Sequence, residues 1–178
     1  MLVGTLCAAA AALRLPEQPT PMALDPAPTE PALPAVAPVE PPTVVAAELD
    51  PGEALDDLWD RIDVLRARGA VCGGRPLPPV QRLKGSAPLD AAAAAQATGE
   101  TPEARVKAAK FRGKLAREVV ARGQRTPAEV VRWWLESPPH CEALMTPLAS
   151  HGGASVVADP EGGGYVWVVV LGRKRQAN

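Results

Sequence analysis

Residues 16–51 set the first limit on what this chain can fold into. They hold eleven of the chain's 21 prolines and six acidic residues, with no Lys or Arg. Proline fixes its own backbone, removes an amide donor and pushes the residue before it toward extended structure. Neither helix nor sheet propagates through such a run, so residues 14–52 read as a disordered, semi-rigid Pro/Ala linker. Folding is left to the residues from 53 onward, where large side chains are scarce. Only 3% of the 178 residues are aromatic, and alanine supplies much of the apolar content.

The net charge of −1 conceals a division along the chain. From Gly52 onward 18 basic residues face 14 acidic ones, a balance of +4. That excess is too sparse for nucleic-acid binding, which calls for a dense Lys/Arg stripe and a reading motif. Residues 1–13 read as a signal peptide: an apolar run with alanines that offer a small-residue cleavage site near Ala12. The run is too short to span a bilayer, and no other stretch is long enough. Cys7 raises lipidation as an alternative, although Leu6 is not the small residue that a lipoprotein site wants before its cysteine. A secreted, periplasmic or cell-envelope location is therefore expected. Removing the signal leaves Cys72 and Cys141, an even pair that an oxidising compartment would join as a disulfide. Closing a loop of about 70 residues is worth about 4 kcal/mol in the chain-entropy model.

In EALDDLWDRIDVLRARG, Leu55, Leu58, Trp59, Ile62 and Leu65 recur at helical spacing and Gly69 is the stop. CGGRPLPPVQRLKGSAP reads as loop. LDAAAAAQAT predicts a second helix with Asp90 near its positive end, and PEARVKAAKF a third, ending at Gly113. TPAEVVRWWLES opens on Thr126, Pro127 and Glu129, a capping box with proline at the first helical position. Val130, Val131, Trp134 and Leu135 would form its buried stripe. Pro138 and Pro139 stop that helix, and Ser137 is placed to cap the next, whose first turn carries His140. ASVVAD and YVWVVVLG, joined by PEGGG, predict a hairpin. Helices first and a hairpin last give α+β with an antiparallel sheet, followed by a basic tail at 174–178.

Trp134, Ser137-Pro138-Pro139-His140-Cys141, Met145, Gly152-Gly153 and YVWVVVLG together resemble the C-terminal half of a bacterial SCP-like domain. These domains belong to the CAP superfamily of cysteine-rich secretory, antigen 5 and pathogenesis-related proteins. Upstream, IDVLRARGAVCGG is similar to the family's opening helix, with Asp63 in place of an Asn, then Arg66 and a Cys-Gly pair. LDAAAAAQA resembles its alanine-rich second helix, and Glu118 matches the Glu of a Glu-Asn pair. The resemblance covers about residues 55–172. It implies an α-β-α sandwich with a central antiparallel sheet over residues 53–173, and it agrees with a Cys72–Cys141 bridge.

It also implies a cavity lined by Glu118, His140, Ser137 and Trp134, with Glu118 and His140 as metal ligands. The pattern is degenerate. No histidine follows the alanine-rich helix, Val119 replaces the Asn, and Ser137 stands where a second cavity Glu is expected. Glu136 lies one residue early, about 100° around a helix. Zinc wants three or four protein ligands, so this pair implies weak divalent binding or no cofactor at all. A helix N-terminus would keep His140 neutral and able to coordinate. Cys141 and His140, adjacent on a helix, point about 100° apart and do not make a Cys–His dyad. Ser137 and His140 have i,i+3 spacing, but a capping serine directs its oxygen to backbone N–H groups and no orienting acid is evident. Trp133 is expected at the domain edge, as a binding contact or as cover for a neighbouring helix, and His151 in a surface turn. The leading function is an exported, non-catalytic CAP domain that binds an envelope component, a lipid or a partner protein through a remnant cavity and its flanking helices. The rival is a metal-dependent hydrolase using Glu118 and His140 with Glu136 recruited. A purely structural domain is the third reading.

Overall fold

The computed structural model describes residues 48–174. The signal peptide and nearly all of the linker expected from the sequence lie outside the described residues, as do the last four positions of the tail. The first helix, α1 (Pro51–Arg68), begins slightly before the expected boundary at 53, because Asp50 accepts the Glu53 N–H at 2.9 Å and Pro51 opens the first turn. Gly69, at φ 81°, ends it. Two short strands, β1 (Ala70–Cys72) and β2 (Arg75–Leu77), pair as a ribbon; β2 lies inside the segment expected to be loop, and β1 reaches it at Cys72. After β3 (Lys84–Gly85) come α2 (Ala87–Ala94), a 3-10 turn (Ala95–Thr98) and α3 (Pro102–Ala108). Next follow β4 (Gly113–Gln124), α4 (Pro127–Glu136), α5 (Pro138–Leu144), β5 (His151–Ala158) and β6 (Tyr165–Lys174).

The main sheet runs β3-β5-β6-β4, antiparallel except for the two-residue parallel pairing of β3 with β5. β4 is a correction to the sequence reading, which saw no strand there. Register shifts at Leu115/Arg117 and Arg122/Gln124 interrupt the alternation that marks a strand. β6 lies between two neighbours and is buried on both faces, which explains its unbroken apolar run. On one face Val119, Ala121, Ala154, Trp167, Val169 and Leu171 pack against Leu58 and Ile62 of α1, Val130 and Trp134 of α4, and Leu144 of α5. On the other, Val166, Val168 and Val170 meet Leu89 and Ala92 of α2 and Val106 of α3. The result is the α-β-α sandwich. Gly153 lets α2 lie directly on β5, since a Cβ there would stand 2.2 Å from the Asp90 nitrogen. Asp90 ties the contact by accepting the Ala154 N–H at 2.9 Å.

Arg66 is fully buried on α1. Its Nε donates to the Gln81 carbonyl at 3.0 Å, Nη1 donates to Leu144, and both Nη1 and Nη2 reach the Thr146 carbonyl at 3.3 Å. Burial holds its pKa below the ordinary value, and Asp63 one turn earlier opposes that shift. Beside it Cys72 of β1 and Cys141 of α5 form a disulfide with 5.5 Å between Cα atoms, packed with Met145, Leu65 and Leu135. The bridge spans 69 residues of sequence. Replacing both cysteines by serine is expected to lower unfolding free energy by about 4 kcal/mol. Urea melts of oxidised protein and of the double variant check this, and equal midpoints would contradict it.

Candidate functional site

The corner between α4 and α5 gathers the most distinctive residues of the sequence. Thr126 caps α4 by accepting the Glu129 N–H at 3.3 Å, and Glu129 reaches back to the Arg125 N–H at 2.8 Å, one residue beyond the usual capping box. Pro138 and Pro139 follow α4 directly, so α5 starts at once with Ser137 in the cap position. Ser137 does not cap, contrary to the sequence expectation. Its Oγ lies 2.9 Å from His140 Nδ1, and the imidazole also leans on the Trp133 ring at 5.0 Å between centroids. The i,i+3 spacing makes that contact possible. Trp133 is 40% exposed, and beside it Trp134 is wholly buried in the core with its indole N–H unpartnered. No carboxylate hydrogen-bonds His140 among the described residues, so nothing orients the ring for general-base work. Cys141 is committed to its disulfide and is no nucleophile.

Glu118 does not join this corner. It pairs across the sheet with Val170, on the face that meets α2 and α3, while α5 packs through Ala143 and Leu144 into the opposite core. Its Oε2 accepts from Arg105 Nη2 at 2.6 Å, and Arg105 is itself buried, donating to the Ala92 carbonyl at 2.7 Å and to Glu100 at 3.3 Å. The structure thus brings Ser137 and His140 together, sets Trp134 behind them in the core, and holds Glu118 elsewhere. Among the described residues no three His, Cys, Asp or Glu side chains stand close enough to hold a metal ion. Glu118 with a guanidinium already on it is a poor zinc ligand, and Glu136 points outward beside Arg132 at 4.0 Å, so the donor set does not fit zinc. Arg105 carries no signal in the sequence that marks it as the partner of Glu118.

The open space lies between helices instead. A groove of about 640 Å³ runs between α1 and α4. Val64, Leu65, Val131 and Leu135 form its apolar wall, with Asp57, Asp60, Arg61, Arg68 and Arg132 at its edges. Val64 is 49% exposed, a large aliphatic side chain left uncovered. Its position off the Leu58–Ile62 stripe was the available sequence signal. His151 is a second departure from expectation: it begins β5, half-buried, and its Nδ1 lies 3.0 Å from Ser150 Oγ. Burial first, then Lys174 and Lys84, push its pKa below the ordinary value, so the fold favours the neutral ring.

The family model described as the cysteine-rich secretory protein family (CAP) matches residues 75–171. Three solved structures are similar. An outer surface protein from Borrelia burgdorferi shares 24% identity at a TM-score of 0.60, over 71% of this chain and 97% of that one. A cysteine-rich secretory protein from Staphylococcus aureus shares 18% at 0.51, over 68% of this chain and 39% of that one. An extracellular SCP-domain protein from Bacillus anthracis shares 16% at 0.54, over 72% and 45%. The chain spans less than half the length of the last two. At these identities the likeness establishes the fold. No curated protein matches the chain.

Two outcomes follow from these contacts. Glu118→Ala strands the Arg105 charge in the interior and is expected to cost about 3 kcal/mol, whereas His140→Ala removes a half-exposed contact and costs about 1 kcal/mol or less. Urea denaturation of both variants checks the order, and a reversed order would mean that Glu118 is not structural. For His151 the shift is downward, so below about pH 6.5 the unfolded chain takes the proton first and stability is lost, to return as pH rises through that value. His151→Gln should flatten this part of a stability–pH curve, and an unchanged slope between pH values of about 5 and 7 would contradict the assignment.

Proposed function

The chain belongs to the cysteine-rich secretory protein (CAP) family, and from that premise we propose that it is an exported, non-catalytic binding module whose ligand lies in the groove between α1 and α4. The observation that carries the reading is the groove itself. Its volume of about 640 Å³ falls in the range of small-molecule sites, its wall is aliphatic, and charges of both signs sit at its edges. That distribution suits a single-chain amphiphile, with the apolar chain against Val64, Val131 and Leu135 and a polar head among Arg61, Arg68 and Arg132. A lipid of the cell envelope is the ligand class that matches.

Export has two supports. The apolar run at residues 2–13 has the length of a signal h-region. The Cys72–Cys141 bridge is a bond that persists in oxidising compartments. The relative from Borrelia is named as an outer surface protein, which accords with the same location. The rival, a metal-dependent hydrolase through Glu118 and His140, lacks comparable support, because Arg105 holds the carboxylate and Ser137 and Trp133 hold the imidazole.

Native mass spectrometry of protein purified from an envelope-exporting host is expected to show a co-purifying amphiphile. Val64→Asp, a change at a half-exposed position, should abolish that adduct and weaken titrated palmitate by about tenfold or more, since it sets a charge on the apolar wall. Absence of any adduct together with no palmitate binding by the wild type would overturn the groove reading. Tight stoichiometric zinc binding lost in His140→Ala would favour the hydrolase.

A further inference from the structure

A second cavity, of about 470 Å³, opens at the end of the sheet where β3 enters α2. Four cationic side chains line it from three separate places: Lys84 on β3, Lys110 and Arg112 between α3 and β4, and Lys174 at the end of β6. His151 of β5 lines it too, and so do Ser86, Ala87 and Pro88 at the N-terminal end of α2. No carboxylate is among the lining residues. Among the described residues none of the four cations takes part in an ion pair; Lys107, Lys114, Arg117 and Arg173 are unpaired too, so what sets the four apart is that they share one cavity without an acidic side chain.

Lys84, Lys110, Arg112 and Lys174 are all exposed and solvated, and no acidic side chain of the lining neutralises them. Lys110 adds backbone strain, being the one described non-glycine residue with positive φ, at 59°. The positive end of α2 points the same way, and Ser86 in its cap position makes no side-chain cap bond. Asp90, the acid of that first turn, is turned to the Ala154 N–H on β5. His151 has Nδ1 against Ser150 Oγ, which leaves Nε2 as the other ring position for an incoming acceptor.

We propose that this cavity is a binding site for a phosphate group carried on a larger molecule, held by Lys84, Lys110, Arg112 and Lys174 with His151 and the α2 N-terminus at its base. A carboxylate would neutralise one of four charges. A phosphate monoester presents three terminal oxygens and up to two charges, which suits several ammonium groups and one guanidinium fork. The volume exceeds that of a bare ion and leaves room for the esterified part. The site is independent of the α1–α4 groove, with which it shares no residue.

The test uses the full chain. Calorimetric titration with glycerol 3-phosphate reads a soluble phosphoryl ligand. Co-sedimentation with vesicles of phosphatidic acid in phosphatidylcholine, against pure phosphatidylcholine, reads a lipid phosphomonoester headgroup. The variants are Lys84→Gln/Lys174→Gln and, as a control of equal charge loss outside the cavity, Lys107→Gln/Arg117→Gln, with circular dichroism to establish that each is folded. Loss of about tenfold or more in the cavity variant, with the control near wild type, is expected in at least one arm. Binding of glycerol 3-phosphate assigns a soluble ligand, and binding of phosphatidic acid vesicles alone assigns a headgroup. No binding in either arm overturns the site, as does equal weakening by the control variant, which would reduce it to diffuse surface charge.

Discussion

One buried guanidinium ties α1 to the end of α5 and to the loop before β3. Arg66 lies at the inner end of α1 with no water to solvate it, and its donors meet carbonyls of Gln81, Leu144 and Thr146. A charge taken from water is tolerated only where each of its donors finds an acceptor. That requirement acts as a geometric specification: the end of α5 and the loop before β3 must both arrive at the last turns of α1. The Cys72–Cys141 bridge closes the same region from the other side, through β1 and the first turn of α5. Together they fix α5 against α1, and hence the corner where α4 turns into α5. The disulfide and Arg66 differ in kind, since one constrains the unfolded chain and the other selects a single folded arrangement.

A second buried arginine decides the surroundings of Glu118. Arg105 brings a permanent positive charge to its carboxylate, at 2.6 Å. The pair is satisfied further by the Ala92 and Glu100 carbonyls, so Arg105 needs nothing more. Such a pair contributes little net stability over apolar packing but is costly to break. A carboxylate so committed can persist with no ligand of its own. The same holds in milder form for His140, whose ring is occupied by Ser137 and Trp133 on the far layer. Glu118 and His140 are thus both engaged with neighbouring side chains, on opposite faces of the sheet.

What the sequence made legible was whatever local rules decide. Thr126 sets a helix start by short-range hydrogen bonding, Pro138 and Pro139 end α4 because proline cannot continue a helix, and the Cys72–Cys141 pair needed only a cysteine count and a compartment. The hairpin of β5 and β6 announced itself through β-branched runs around glycines. β4 escaped because two register shifts and the charges of Lys114, Arg117 and Arg122 break its alternation. Ser137 looked like a cap because serine usually is one, and only the position of His140 one turn on diverts its oxygen. The groove was less legible still. Val64 and Val131 lie 67 positions apart, and nothing in either helix alone says that the space between them stays open.

The two cavities also differ in the force they can apply, and their placement keeps those forces separate. The groove belongs to α1 and α4, on one face of the sheet, while the cationic cavity opens beside α2 at the sheet's end. A small molecule seated in one therefore does not reach the other. Apolar burial against Val64 and Val131 would not be screened by added salt, and salting-out ions strengthen it, whereas attraction to Lys84 and Lys174 would be screened over a Debye length of about 10 Å at 0.1 M. Binding in the proposed groove would therefore escape electrostatic screening, and binding in the proposed cationic cavity would be weakened by it. A surface of anionic amphiphiles presents acyl chains and charged heads at once, so a salt titration of its binding would separate the two proposed contributions.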